Sequence, residues 1–75
     1  MANVKITNKS GSDLEIWSDG EQIGSLPPGG DTEVGPVEKG DVLTFKGGGF
    51  GDLDQPYEGE GELCFEADGT VVIIG

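Results

Sequence analysis

The 75-residue sequence contains no histidine and no arginine, and it has a single cysteine. Histidine metal sites, Ser-His and Cys-His nucleophile pairs, arginine phosphate clamps and basic nucleic-acid grooves all need residue types that this chain lacks. One cysteine also excludes an internal disulfide and a cysteine-cluster zinc site. We therefore predict a protein that is not an enzyme, needs no cofactor and does not bind nucleic acid directly.

Long apolar runs are missing as well. The longest run covers residues 71–74, whereas a membrane-spanning helix needs roughly 20 apolar residues. The first residues also lack the apolar segment of a secretory signal peptide. These features predict a cytoplasmic location and argue against a membrane partner.

Charge of one sign dominates the chain. Four lysines stand against fifteen acidic residues, which gives a formal net charge of −11 at pH 7. A field of this sign speeds encounters with basic surfaces and opposes binding to anionic lipids. We therefore expect a basic protein partner, while adaptation to high salt is an alternative origin of the same charge.

Short apolar runs alternate with polar residues, and most of the glycines lie between these runs. Alternation with a period of two is typical of half-buried strands. Residues 1–75 are therefore predicted to form one all-β domain, a small antiparallel sandwich or barrel of about six to seven short strands. The expected core residues are Val4, Ile6, Leu14, Ile16, Ile23, Leu43, Phe45, Leu63, Phe65, Val72 and Ile74.

Two Asp-Gly pairs predict hairpin turns, at residues 19–20 and 68–69. Both central residues of a two-residue type I′ turn need positive φ, which Asp-Gly tolerates. Counting outward from such turns pairs Ile16 with Ile23, and Phe65 with Val72.

Residues 47–61 are predicted to be a long glycine-rich acidic loop, of a length that is usually functional or disordered. If residues 58–62 run extended, three glutamates point to one side, about 6–7 Å apart. Such a row can imitate a phosphate backbone and occupy a nucleic-acid-binding groove on another protein. A plain solvated surface and a Ca²⁺ site are the alternatives.

Trp17 shares the face of Glu15 rather than that of Ile16, so we expect it to be at least half exposed. An exposed tryptophan is typical of interface hot spots, which predicts a partner contact or a homo-oligomer interface. A sheet that buries both of its faces is the alternative.

Cys64 lies between two glutamates, and nearby like charge disfavours the thiolate, so we expect an inert thiol. The candidate partner contacts are Trp17, Asp52, Asp54, Tyr57, Glu58, Glu60 and Glu62.

Two stretches resemble a known family. Residues 4–16 are similar to the opening strand–turn–strand of aegerolysin-type β-sandwiches. Phe45, the glycine-rich loop and residues 58–63 resemble the Gly-Thr-Glu-Gly stretch that leads into a strand in that family. The family's Trp-Asp-Cys-Pro-Trp segment has no counterpart here.

The resemblance to aegerolysins implies a sandwich that meets lipid membranes, sometimes beside a pore-forming partner protein.

Together, these features of the sequence support three functions. The first is an acidic, inhibitor-like binding protein that engages a basic or nucleic-acid-binding protein. The second is a lipid- or glycan-contacting module, and the third is a homo-oligomeric structural subunit.

Overall fold

The structure is a computed structural model that describes residues 2–75, and Met1 lies outside this range. It contains eight strands and, within the described residues, no helix. The predicted all-β fold is confirmed, with one strand more than expected. The strands are β1 (Ala2–Asn8), β2 (Leu14–Ser18), β3 (Glu21–Leu26), β4 (Asp31–Val37), β5 (Val42–Gly47), β6 (Leu53–Pro56), β7 (Glu62–Phe65) and β8 (Val71–Ile74).

The strands form two four-stranded sheets that pack as a sandwich. The first sheet has the order β4-β1-β7-β8 and the second the order β3-β2-β5-β6. β1 and β7 run parallel, and the other neighbouring strands are antiparallel. The sheets approach closely between β3 and β4, where Val34 Cγ1 lies 2.6 Å from the position that a Cβ on Gly24 would occupy.

The inward-facing residues of both sheets make one apolar core, in which the rings of Phe45 and Phe65 lie 5.8 Å apart. Full burial of one large apolar side chain stabilises a fold by about 1.5–3 kcal/mol. Eight of the predicted core residues are buried: Val4, Ile6, Leu14, Ile16, Leu43, Phe45, Leu63 and Phe65.

The first hairpin turn has the expected form but not the expected register. Asp19 has φ 52° and Gly20 has φ 76°, as a type I′ turn requires. Beyond the turn, a bulge in β3 pairs Ile16 with Gly24 instead of Ile23. The predicted pairing is therefore wrong, and Ile23 packs partly buried against the edge of the core.

The second hairpin has a three-residue loop instead of a two-residue one. The Gly69 N–H donates to the Glu66 carbonyl at 3.0 Å, and the Glu66 N–H donates to the Thr70 carbonyl at 2.7 Å. Gly69 alone in the loop has positive φ, 86°. The Asp68 carboxylate accepts hydrogen bonds from the Thr70 hydroxyl and N–H at 2.7 and 3.1 Å. These bonds hold the pKa of Asp68 below its ordinary value and favour the longer loop.

The extra loop residue changes which side of β8 faces the core. Phe65 pairs with Val71, not with Val72, and a slip of one residue turns every side chain of a strand to the opposite face. Val72 and Ile74, both predicted in the core, are therefore 41% and 50% exposed. Val71 packs against the core instead.

The stretch at 47–61 is more ordered than a long loop. It contains β6, which pairs with β5 at the edge of the second sheet. Its glycine-rich part also packs on the core, because Gly48 is buried and a Cβ there would lie 2.8 Å from the Phe65 ring. The predicted long loop is thus interrupted by a strand, and its first turn packs against Phe65.

Candidate protein-interaction surface

The outer face of the second sheet brings two predicted contacts together. Trp17 on β2 pairs with Thr44 on β5, which in turn pairs with Asp54 on β6. With strands about 4.8 Å apart, the Cα atoms of Trp17 and Asp54 are separated by about 10 Å. The Thr44 hydroxyl donates to Asp54 Oδ1 at 2.8 Å and orients that carboxylate. We call this outer face the Trp17 face.

Trp17 is less exposed than the alternation predicts. It is only partly exposed, so the expectation of at least half exposure is wrong. Its indole N–H donates to Glu15 Oε1 at 2.9 Å, and Lys46 Nζ lies 4.5 Å from the ring centroid. These two neighbours cover part of the indole. The contact of the Lys46 ammonium with the ring is favourable by about 0.5–1 kcal/mol, the value typical of a cation over an exposed aromatic ring.

A cleft of about 470 Å³ lies along β2 and β3. Asp13, Glu15, Gln22 and Ser25 are among its lining residues. Two carboxylates in one concave site favour a positively charged occupant over a negatively charged one. The cleft can therefore accept a cationic side chain.

Tyr57 is not available as a partner contact. Its side chain is buried and belongs to the core, and its backbone bonds to the loop between β4 and β5. The Tyr57 N–H donates to the Asp41 carbonyl at 2.8 Å, and the Gly40 N–H donates to the Tyr57 carbonyl at 2.9 Å. The sequence-based assignment of Tyr57 to a surface is wrong, because this residue anchors the chain after β6.

The expected straight row of glutamates does not form. Residues 59–61 bend, with φ 97° at Gly59 and 90° at Gly61. Of the three glutamates, only Glu62 lies in a strand, on the outer face of the first sheet, 3.9 Å from Lys5. The prediction of regularly spaced carboxylates over this segment is therefore wrong.

The predicted contacts are distributed over different parts of the molecule rather than over one surface. The two outer faces of the sandwich point in opposite directions, so residues on them cannot contact one flat partner together. Trp17 and Asp54 lie on one outer face, Glu62 lies on the other, Asp52, Glu58 and Glu60 are exposed between strands, and Tyr57 is in the core.

Few carboxylates are neutralised within the fold. Lys5 pairs with Asp31 at 3.6 Å and with Glu62 at 3.9 Å, and Lys9 pairs with Glu66 at 3.7 Å. Three of the fifteen acidic residues are thus paired, and in residues 3–75 the other twelve have no lysine within ion-pair distance. The same part of the chain contains no cluster of three or more His, Cys, Asp or Glu residues arranged to hold a metal ion.

The Cys64 thiol is shielded on the outer side of the first sheet. It is 2% exposed, and its Sγ lies 3.4 Å from Glu66 Oε2, to which the thiol donates. Burial, and next the hydrogen bond and negative charge of Glu66, raise the pKa of Cys64. The thiolate, which is the reactive form, is therefore scarce at neutral pH.

We expect folded protein to react with a maleimide at pH 7.5 at least about tenfold more slowly than protein unfolded in urea, because the thiol is buried and protonated. Glu66→Gln should lower the pKa of Cys64 and speed labelling, and Glu60→Gln is the matched control. Because the folded pKa lies above the unfolded one, stability should fall as pH rises above the ordinary thiol pKa. Equal labelling rates for folded and unfolded protein would contradict the buried placement.

Asn8 and Ser10 form a buried polar network after β1. The Asn8 side-chain amide donates to the carbonyls of Ser12 and Pro27 at 2.9 and 3.2 Å. Its oxygen accepts from the Ser10 hydroxyl at 2.6 Å. The sequence contains one indication that Asn8 is buried, because the inward alternation of β1 continues from Ile6 to Asn8. This network holds the fold and does not form a ligand site.

Comparisons with protein-family models, with curated proteins and with solved structures find no match to this chain. Among residues 2–75 no helix is long and apolar enough to cross a membrane.

Proposed function

We propose that this chain is a non-enzymatic interaction protein whose acidic surface engages a basic protein. The observation that carries this proposal is the excess of carboxylates without a lysine partner in the described residues, twelve of fifteen. The core does not use them, since its members are apolar apart from the Tyr57 hydroxyl. Unpaired like charges destabilise a compact chain by self-repulsion and speed association with surfaces of opposite sign.

The Trp17 face supports the same proposal in its local chemistry. Lys46 already places an ammonium over the Trp17 ring beside the Glu15 carboxylate. A lysine or arginine of a partner can place its charge near Asp13 and Glu15 in the cleft, with its apolar stem against Leu14 or Leu26. The face thus offers an acidic site for a cationic side chain.

The proposal is tested by the salt dependence of association. Immobilised chain should capture basic proteins at low salt and release them at high salt. For an identified captured protein, the association rate should fall about tenfold or more between about 50 and 300 mM NaCl, because the Debye length shortens over this range. Dissociation should change much less. Capture of neutral proteins only, or an association rate indifferent to salt, would remove the acidic surface from the proposal.

Charge-neutral variants give a second test. Changing Asp52 and Asp54 to Asn, and Glu58 and Glu60 to Gln, should lower the association rate about three- to tenfold at low salt and make its salt dependence shallower. The matched control exchanges Asp for Glu and Glu for Asp at the same four positions, which keeps the charge and changes the shape. If both variants slow association equally, shape rather than charge determines binding.

A further inference from the structure

The four edge strands of the sandwich differ in how they are protected against pairing with another chain. Edge strands of soluble proteins usually carry charges, prolines or bulges that prevent such pairing. Three of the edges have these features: Glu21 and a bulge in β3, Asp31, Glu33 and Pro36 in β4, and Asp54 and Pro56 in β6. The fourth edge, β8, consists of two valines and two isoleucines.

The open side of β8 carries free backbone hydrogen-bonding groups. The Glu66 N–H donates to the Thr70 carbonyl just before the β7–β8 ladder begins, and bonded and non-bonded pairs alternate in antiparallel strands. Val72 and Ile74 therefore bond to β7, whereas the N–H and C=O groups of Val71 and Ile73 point away from the sheet. Within residues 2–75 no other strand pairs with this side.

Exposed apolar side chains concentrate beside the same edge. Val72 is 41%, Ile73 44% and Ile74 50% exposed. Phe50, 54% exposed, lies over the hairpin, with its ring 6.3 Å from that of Phe65. We call these four residues the β8 margin; they are four of the five large apolar residues that the described surface exposes.

Acidic residues lie at both ends of β8. Asp68, which has no lysine partner, and Glu66, which pairs with Lys9, flank its start in the hairpin. Glu62, which pairs with Lys5, lies opposite the last residue of β8, Ile74. Glu60 precedes Glu62 in the adjoining segment, where a Cβ on Gly61 would lie 2.9 Å from the Ile74 carbonyl. Four residues of strand span about 13 Å, so an apolar centre of this length separates two negatively charged ends.

We propose that β8 binds an extended segment of the basic partner by strand addition, with the segment's apolar centre on the β8 margin and lysines or arginines at both ends. Strand addition supplies the missing ladder bonds, and side-chain contacts supply specificity. A second copy of this chain fits less well. Antiparallel or parallel pairing of two β8 strands places acidic ends against acidic ends, and like charges oppose pairing. The basic character of the segment rests on the proposed function.

The inference is tested with a capped peptide, Lys-Lys-Val-Thr-Ile-Thr-Val-Lys-Lys, and isotope-labelled protein. At saturation, amide exchange at Val71 and Ile73 should slow about tenfold or more, because these amides gain ladder bonds. Exchange at Val72 and Ile74, already bonded to β7, should change far less. Replacing the central Ile of the peptide with Pro should abolish most of the binding. Bound peptide that leaves the Val71 and Ile73 amides unprotected would overturn strand addition.

A pair of matched variants separates this inference from the proposed function. Ile73→Lys puts a charge on the edge, whereas Val42→Lys makes the same change of charge at an equally exposed residue of the second sheet. Ile73→Lys should weaken peptide binding about tenfold or more, and Val42→Lys about twofold or less. Equal weakening would show that net charge alone attracts the peptide, which overturns the edge site and leaves the proposed function standing. A peptide-free dimer that protects the same amides would make a second copy the occupant and overturn the inference.

Discussion

Replacing Asn8 with alanine is expected to lower the free energy of unfolding by about 3–5 kcal/mol, because several buried groups each lose a partner at a cost of about 1–3 kcal/mol. For a domain of this size that loss corresponds to a fall in Tm of about 15–30 °C. It is comparable with the whole stability of many small domains. Thermal and urea unfolding followed by circular dichroism measure it.

The size of the effect follows from the position of Asn8, which is fully buried at the end of β1. Its side-chain amide donates to carbonyls of Ser12, Leu26 and Pro27, and its oxygen accepts from the backbone and hydroxyl of Ser10. One side chain thus joins β1 to the following turn and to the segment after β3. Alanine can make none of these bonds.

Asn3→Ala is the matched control, since Asn3 is exposed in the same strand. A surface change of this kind should alter stability by about 0.5 kcal/mol or less. Ser10→Ala should fall between the two, because it removes one donor to the Asn8 oxygen. If Asn8→Ala and Asn3→Ala unfold at the same urea concentration, the network does not contribute to stability.

The sequence predicts the strands and most of the core because alternation depends on local residue order. Ile16 and Phe65 are inward in the structure as the alternation requires. The face of β8 was not predictable in this way, because it depends on the loop length. The Asp68 carboxylate bonds to Thr70 and selects a three-residue loop, whereas the same Asp-Gly pair at residues 19–20 forms a two-residue turn.

The candidate surface was harder to predict than the fold, because it depends on contacts between distant parts of the chain. The approach of Lys46 to Trp17 requires β5 to pair with β2, and neither residue's local sequence indicates this. Tyr57 is buried because the segment after β6 bonds to the loop between β4 and β5. Placement of Asp54 on the Trp17 face likewise requires β6, and the glycine-rich, acidic composition of residues 47–61 does not indicate that strand.

The second large expected effect on stability concerns Gly47, at the end of β5. Gly47→Ala should lower the free energy of unfolding by about 2–4 kcal/mol, of which about 1–2 kcal/mol reflects the left-handed backbone. Gly47 has φ 90°, and a Cβ there would lie 2.5 Å from the Asp13 carbonyl oxygen. That oxygen belongs to the backbone and accepts the Gly48 N–H at 3.0 Å, so it cannot move aside as a flexible side chain can.

Gly49→Ala separates the two contributions. Gly49 has nearly the same φ, 86°, but a Cβ there would meet only Ser12 Oγ, at 3.8 Å. Gly49→Ala should therefore lower the free energy of unfolding by about 1–2 kcal/mol, the backbone contribution alone. Urea unfolding should give a lower midpoint for Gly47→Ala than for Gly49→Ala, with equal m-values if neither change alters the surface exposed on unfolding. Equal midpoints would mean that the end of β5 does not pack against Asp13, and that residues 47–51 are the flexible loop their composition suggests.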